Sequence, residues 1–212
     1  TRGEVVLDEN QDVYVTTSLY SSDFPVTDGS VINNGAGFGR QDAIVFKMSA
    51  DLSTLNWATY LGGSDFETGY SIRIQGTYAY VAGGTTSNDI GANAGSIGPS
   101  FSGVWDGYIA RFNKTTGAHQ RKTYIGTADY DQAFILETDD NGDVYTVGQT
   151  TGAYPVVSAV YSDAFSGQFI HKMNSNLSAT DYSTTFGSDR GASGSAVDIS
   201  LTAFLVDNCG NA

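Results

Sequence analysis

Three short sequence elements recur in the same order along this chain, and their repetition constrains the fold more than any other feature. The first element, NQDVYV at residues 10–15, returns at 76–81 and 141–146. The other two begin at Asp42 and Thr59, and their copies lie at 42–47, 106–111 and 167–172, and at 59–63, 123–127 and 184–188. Successive copies start 61 to 66 residues apart. The sequence therefore divides into repeats at about 1–63, 64–127 and 128–188, with the start of a fourth at 189–212.

Each repeat predicts four β-strands. Apolar and polar side chains alternate with a period of two, as at Val13 and Val15 against Tyr14 and Thr16. The first strands of the repeats are predicted at residues 5–7, 71–74, 134–137 and 203–206. Four short antiparallel strands, repeated along a chain, are the pattern of a β-propeller. We therefore predict an all-β fold, a β-propeller of four-stranded antiparallel blades, with about three blades and the first strand of a fourth in this chain.

Three blades do not close a ring, since the smallest propellers have about four. An open stack would leave strand edges unpaired, which favours aggregation. We therefore expect the chain to be part of a longer protein, or other protein domains or chains to complete the propeller. The single cysteine, Cys209, fits either a disulfide to a partner or a buried thiol.

Composition excludes several function classes. The chain has 23 Asp and Glu against 10 Lys and Arg, a net charge of −13, which opposes binding to nucleic acid. One cysteine cannot form an internal disulfide framework or a cysteine-based zinc site. No apolar run is long enough to insert into a membrane. The abundance of Gly, Tyr, Ser and Thr favours strands and turns, and it is typical of exported, extracellular proteins.

Two segments have the pattern D-x-N-x-D, which opens many calcium-binding loops. They contain Asp8, Asn10 and Asp12 in the first repeat, and Asp139, Asn141 and Asp143 in the third. An EF-hand loop also needs a distal glutamate, and neither segment has one at that spacing. Asp and Asn also favour tight turns, because their side chains bond to the local backbone. A structural turn without cofactor is therefore the first interpretation, and Ca²⁺ binding is the alternative.

Further candidate sites lie in the loops. Asp65 and Asp129 follow the Gly-Gly-type element, and Glu67, Asp131 and Asp189 lie near them. In a propeller these loops gather on one face, where they could hold cations or sugar hydroxyls or simply be solvated. Trp105, at the end of a long loop, could stack on a surface glycan, whereas Trp57 is expected to pack between blades. Basic side chains recur at one equivalent position near a strand end and are expected to face solvent: Lys47, Arg111 and Lys172.

Several blocks of this sequence resemble the β-propeller repeat known as the SBBP repeat. They are YLGGSD at 60–65, GY at 69–70, YVAGGTTS at 80–87, DAIVFK at 42–47 and SSDFPVT at 21–27. The second repeat departs from the pattern, with NDIG at 88–91 in place of the Asp-Phe-Pro block. The resemblance implies a large secreted cell-surface protein. The stretch 203–211 is similar to proteins of gliding bacteria that use type IX secretion.

The resemblance brings no established catalytic residues with it. No G-x-S-x-G elbow supports a nucleophile, and no two carboxylates stand out as the pair that glycoside hydrolysis needs. We therefore expect a non-enzymatic module that acts as a scaffold for adhesion or protein assembly at the cell surface. A carbohydrate-binding propeller is one alternative, and a hydrolase or lyase acting on polysaccharides is the other.

Overall fold

The computed structural model describes residues 3–27, 40–164, 166–187, 200–207 and 210–212. These residues form twelve strands and no helix, and the strands make three four-stranded antiparallel sheets. Sheet 1 contains β1 (Glu4–Leu7), β2 (Val13–Leu19), β3 (Asp42–Met48) and β4 (Leu55–Leu61). Sheet 2 contains β5 (Glu67–Gln75), β6 (Tyr78–Thr85), β7 (Asp106–Asn113) and β8 (His119–Ile125). Sheet 3 contains β9 (Asp131–Thr138), β10 (Val144–Thr150), β11 (Gln168–Met173) and β12 (Thr180–Phe186). The prediction of an all-β fold is thus confirmed.

Each sheet is a meander in which every strand pairs with the next one along the chain. The registers are equivalent in all three sheets, so a tyrosine of the second strand always lies opposite a basic residue of the third. These pairs are Tyr14 with Lys47, Tyr80 with Arg111, and Tyr145 with Lys172. A register shift between the third and fourth strands also recurs directly after each basic residue. The repeats therefore match in three dimensions, residue by residue.

The sheets pack face to face, and the alternation along each strand explains why. In β6, Val81 belongs to the hydrophobic cluster shared with sheet 1, whereas Tyr80 belongs to the cluster shared with sheet 3. We call the side of a sheet that faces the next sheet along the chain its front face, and the opposite side its back face. Front-face residues of sheet 1 include Tyr14, Val45 and Leu61; back-face residues of sheet 2 include Ile72, Val81 and Phe112. Trp57 stacks on Phe112 at a ring-centroid distance of 6.5 Å, so it packs between sheets as expected.

A hydrogen-bonded network links the first strands of all three sheets. The Arg73 guanidinium bonds to both carboxylate oxygens of Glu137, at 2.9 and 2.7 Å, and lies 2.7 Å from Glu4 Oε1. The other oxygen of Glu4 accepts hydrogen bonds from the Ser71 hydroxyl and the Ile72 amide, at 2.6 and 2.8 Å. Strands β1, β5 and β9 consequently lie side by side where the three sheets converge.

The fourth repeat is only partly formed. A strand was predicted at 203–206, and this is wrong, because residues 200–207 are not in a strand. A strand needs a hydrogen-bonded neighbour, and none of the described residues pairs with residues 200–207 as β2 pairs with β1. The turn that follows is nevertheless present: the Asp207 amide donates to Asn211 O, and the Gly210 amide donates to Asp207 O, both at 2.9 Å. None of the described residues forms a helix that could cross a membrane.

Candidate functional site

Both D-x-N-x-D segments form the tight turn between the first and second strands of a sheet. Asp8 Oδ1 accepts hydrogen bonds from the amides of Asn10 and Asp12, at 2.9 and 3.0 Å, and Asp8 Oδ2 accepts one from the Tyr14 hydroxyl at 3.1 Å. In sheet 3, Asp139 makes the same three bonds with the amides of Asn141 and Asp143 and the Tyr145 hydroxyl, each at 3.0 Å. The first aspartate of each segment therefore organises the turn.

A lysine ammonium lies between the two aspartates of each turn. Lys47 Nζ is 2.7 Å from Asp12 and 3.8 Å from Asp8. Lys172 Nζ is 2.8 Å from Asp143 and 3.6 Å from Asp139. Burial lowers the pKa of Lys47, but its bonds to Asp12 and Tyr14 raise it more, so the pKa lies above its ordinary value. The lysine therefore provides positive charge where a bound cation would otherwise be needed.

This arrangement corrects the expectation that the basic side chains face solvent. Lys47 is only 9 % exposed, because the register of β2 and β3 places it against Tyr14 and beneath the turn. In sheet 2 the aspartates are replaced by Gln75 and Tyr78, and the Arg111 guanidinium stacks on the Tyr78 ring at 4.4 Å. Among the described residues, no group of three or more His, Cys, Asp and Glu could hold a metal ion. Calcium binding at the turns stays a prediction.

The structure brings Trp105 next to Asp129, whereas Asp65 lies elsewhere. Asp65, between β4 and β5, forms an ion pair with Arg40. Asp129, between β8 and β9, is exposed. Trp105 is half-buried against Tyr130, with ring centroids 6.5 Å apart, so only part of its ring could contact a glycan. Asp189 and Cys209 fall outside the described residues.

Buried carboxylates at the junctions between sheets are the acidic feature that sequence reasoning missed. Glu67 and Asp131, which were expected in loops, begin β5 and β9 and are fully buried. Asp42 and Asp106 begin β3 and β7 and are buried as well. A Cβ atom on Gly126 would lie 3.0 Å from both Asp106 Oδ1 and Asp131 Oδ2, so these two carboxylates lie close together. The signal that could have revealed them is the recurrence of an acid at the start of the DAIVFK element, 64 residues apart.

The environment of these acids favours their protonated forms. Burial raises the pKa of Glu67 to about 7, and the charge of Asp42 adds to the effect. Burial likewise raises the pKa of Asp106 to about 6, and the charge of Asp131 acts in the same direction. The pKa of Asp131 is raised by burial and by the charge of Asp129. Each junction therefore combines two acids that do not readily ionise together.

His171 lines a cavity of about 160 Å³ between sheets 2 and 3. Its Nδ1 is 2.8 Å from the Tyr154 hydroxyl, and its Nε2 is 2.8 Å from the Thr180 hydroxyl. Burial lowers the pKa of His171 to about 4. Both ring nitrogens are engaged by neighbouring hydroxyls, so the imidazole fills a structural position in the described part of the protein.

The two end faces of the stack carry exposed apolar side chains. On the front face of sheet 3, a cavity of about 620 Å³ is lined by Val160, Tyr161, Ile170 and Tyr182, together with residues 210–212. Tyr161 is 63 % exposed and Val160 is fully exposed. On the back face of sheet 1, Val5 and Leu7 are 61 % and 53 % exposed.

No protein-family model matches this chain, and no curated protein matches it.

Proposed function

We propose that this protein is a non-enzymatic scaffold whose sheets associate face to face with further sheets of the same kind. In this proposal the three sheets are blades of a β-propeller, completed by other domains or chains. The resemblance to the SBBP repeat supports placing the scaffold on a secreted cell-surface protein that serves adhesion or assembly. The observation that carries the proposal is the difference between the covered faces and the end faces of the stack.

The faces that a neighbouring sheet already covers show which side chains a partner sheet would bury. On the back face of sheet 2, Val81, Ala110 and Phe112 are completely buried by sheet 1. The equivalent residues of sheet 1 are Val15, Phe46 and Met48, and all three are partly exposed. Since the residues are apolar in both sheets, the back face of sheet 1 has the character of a packing surface. About 25 cal/mol is gained for each Å² of apolar surface that a partner would cover.

The front face of sheet 3 is likewise apolar and less buried than the equivalent face of sheet 2. Ile109 and Ile125 of sheet 2 are buried against sheet 3, whereas their equivalents in sheet 3, Ile170 and Phe186, are partly exposed.

A hydrogen bond from a tyrosine hydroxyl also recurs at each front face. Tyr80 donates to Ser175 O of the next sheet at 3.0 Å, and Tyr145 donates to Gly210 O at 3.1 Å. The segment around Gly210 thus covers only part of a face that a whole sheet covers elsewhere.

The proposal predicts head-to-tail association, in which the front face of one copy packs on the back face of another. Sedimentation velocity from about 1 to about 100 µM should show concentration-dependent association of the wild-type protein. Ile170→Arg should block the front face, and Val5→Arg should block the back face, because each would bury an unpaired charge. Each substitution should weaken association at least tenfold. Leu52→Arg, at an exposed apolar residue of the β3–β4 turn, is the matched control and should change nothing.

A mixture of the two blocked variants gives the sharpest test. Ile170→Arg keeps an intact back face and Val5→Arg keeps an intact front face, so the mixture should form a one-to-one dimer and nothing larger. A wild-type protein that stays monomeric over the whole concentration range would refute the proposal. Association that both arginine variants leave unchanged would refute it as well.

A further inference from the structure

The outermost strands β4, β8 and β12 each pair with only one of the described strands, so their outer edges face away from the sheets. Ala58, Lys122 and Ser183 take equivalent positions in these three strands. At alternate residues of an antiparallel edge strand, the amide and the carbonyl both point away from the sheet. Such groups are a template on which a strand of another chain can pair. In this protein a loop of the same chain bonds them in all three sheets.

In sheets 1 and 2 the loop between the second and third strands supplies one donor and one acceptor for this position. The Thr27 amide donates to Ala58 O at 3.3 Å, and the Thr27 hydroxyl oxygen accepts from the Ala58 amide at 2.9 Å. The Asn93 amide donates to Lys122 O at 3.0 Å, and Asn93 Oδ1 accepts from the Lys122 amide at 2.7 Å. One loop residue thus makes both bonds that an additional strand would make here, with its side-chain oxygen in place of a carbonyl.

Sheet 3 closes the same position with main-chain atoms alone. The Val157 amide donates to Ser183 O at 3.1 Å, and Val157 O accepts from the Ser183 amide at 2.9 Å, which forms an isolated antiparallel bridge. In sheet 2 the loop turns back directly after its contact with β8, since Asn93 O accepts from the Ser96 amide at 3.0 Å. The loop of sheet 2 therefore closes the edge without extending the sheet by a new strand.

A tyrosine hydroxyl of the outer strand anchors the start of the loop. In sheet 1, the Tyr60 hydroxyl donates to Ser21 O at 2.8 Å and accepts from the Phe24 amide at 3.1 Å. The Phe24 ring packs on a phenylalanine of β3, with ring centroids 5.4 Å apart. The SSDFPVT block at 21–27 therefore runs from this anchor to Thr27, the residue that closes the edge.

Sheet 2 has the same anchor. The Tyr124 hydroxyl donates to Ser87 O at 3.0 Å and accepts from the Ile90 amide at 3.3 Å. The segment NDIG at 88–91 therefore takes the place of the Asp-Phe-Pro block, although the two share only the aspartate. The tyrosine of the recurring element at 59–63 and 123–127 thus has a defined role, because it fixes the loop that covers its own strand.

We propose that these loop segments are edge straps, which prevent the outer strand of each sheet from pairing with a strand of another chain. The edge straps are residues 21–27, 87–98 and 154–163. Covering an edge strand with a loop is one of the ways in which proteins avoid edge-to-edge aggregation. The edge straps leave only the faces of the stack open to association. The inference does not rest on the face-to-face association proposed above, since the edge straps would act in a monomer as well.

Hydrogen–deuterium exchange of main-chain amides, followed by NMR, tests the edge strap of sheet 2. In the wild-type protein the Lys122 amide should be as protected as the amides of β7. Asn93→Leu removes the oxygen that accepts from this amide, and Tyr124→Phe removes both anchoring bonds, so each should speed exchange at Lys122 by about tenfold or more. Asn93→Asp keeps an oxygen at the same place and should restore protection. Tyr80→Phe, the matched control, loses a hydroxyl bond to the next sheet and should leave this amide unchanged.

Sedimentation velocity tests edge pairing itself, in a parent that carries both Ile170→Arg and Val5→Arg and is blocked at both faces. The parent should stay monomeric up to about 100 µM. Adding Asn93→Leu or Tyr124→Phe should cause concentration-dependent association, whereas adding Asn93→Asp or Tyr80→Phe should not. If the parent itself associates, the proposed function fails, whereas the edge straps are still judged by the additional association that each strap variant causes.

Three results would overturn the edge straps. One is an unprotected Lys122 amide in the wild-type protein, which decides the question even if the strap variants do not fold. Another is the absence of added association in both Asn93→Leu and Tyr124→Phe. The third is association of the same strength in Asn93→Asp or Tyr80→Phe, because it would follow from lost stability and not from an open edge.

Discussion

Glu67→Gln is the substitution that best tests the buried acids at the sheet junctions. Glu67 is fully buried at the start of β5; its Oε1 accepts a hydrogen bond from the Thr85 hydroxyl at 2.6 Å and its Oε2 one from the Gly63 amide at 2.8 Å. Glutamine has nearly the same shape, and its carbonyl oxygen can accept one of these bonds. It cannot ionise, however. The substitution therefore isolates the free energy that the wild-type protein loses when this carboxyl group gives up its proton inside the fold.

The sign and the size of the effect follow from the pKa of Glu67. Folding raises this pKa from 4.5 to about 7, mainly through burial. A raised folded-state pKa contributes stability that is fully present below pH 4.5 and is lost as the pH rises through about 7. Between pH 5 and pH 8 the wild-type protein should thus lose about 2–3 kcal/mol from this group alone. Glu67→Gln should not lose this contribution, so its stability relative to wild type should increase by that amount over the same interval.

Urea unfolding of both proteins at pH 5 and pH 8 measures this difference directly, provided that the slope of free energy against urea stays the same. Glu9→Gln is the matched control, because Glu9 is exposed and its pKa is lowered by its bond to Lys114. The control should show no comparable change between the two pH values. An equal free-energy difference between wild type and Glu67→Gln at pH 5 and pH 8 would refute the assignment of a raised pKa to this buried group.

Three further substitutions test the packing between sheets. Phe112→Ala should cost about 3–5 kcal/mol in urea unfolding, because the ring is fully buried against Trp57, whereas the partly exposed Phe66→Ala should cost much less. Tyr80→Phe should cost about 1 kcal/mol by the same measurement, since it removes only the hydroxyl bond to Ser175 O in the next sheet. Arg73→Met should cost about 2 kcal/mol, because it leaves two partly buried glutamates without their cation; calorimetry should show a lower Tm. Losses below half of these values would contradict the packing described.

Much of the fold could be predicted from the sequence because it depends on neighbours along the chain. The period-two alternation in β2 and β6 follows from which side of a strand each residue faces. The turn at Asp8 follows from bonds to amides two and four residues away. Repetition extended the alternation to all three sheets and the aspartate turn to sheet 3. The predicted strand at 203–206 failed for the opposite reason, since a strand is stable only where another strand pairs with it.

These local patterns could not predict which charged residues are buried. The sequence predicts that Lys47 is exposed at a strand end, whereas the register of β2 and β3 places it beneath the turn. Asp106 and Asp131 are 25 residues apart in sequence and belong to different sheets. Whether they are loop acids or a buried pair depends on how the sheets stack.

The sequence by itself thus determined the strands, the turns and the apolar sides of each sheet, because short-range sterics and hydrogen bonds decide them. Only the tertiary structure decided which carboxylates meet, which turn aspartates have a lysine between them and which faces stay uncovered. These properties depend on desolvation and on charges brought together across the junctions between sheets, and both arise only when the sheets are stacked.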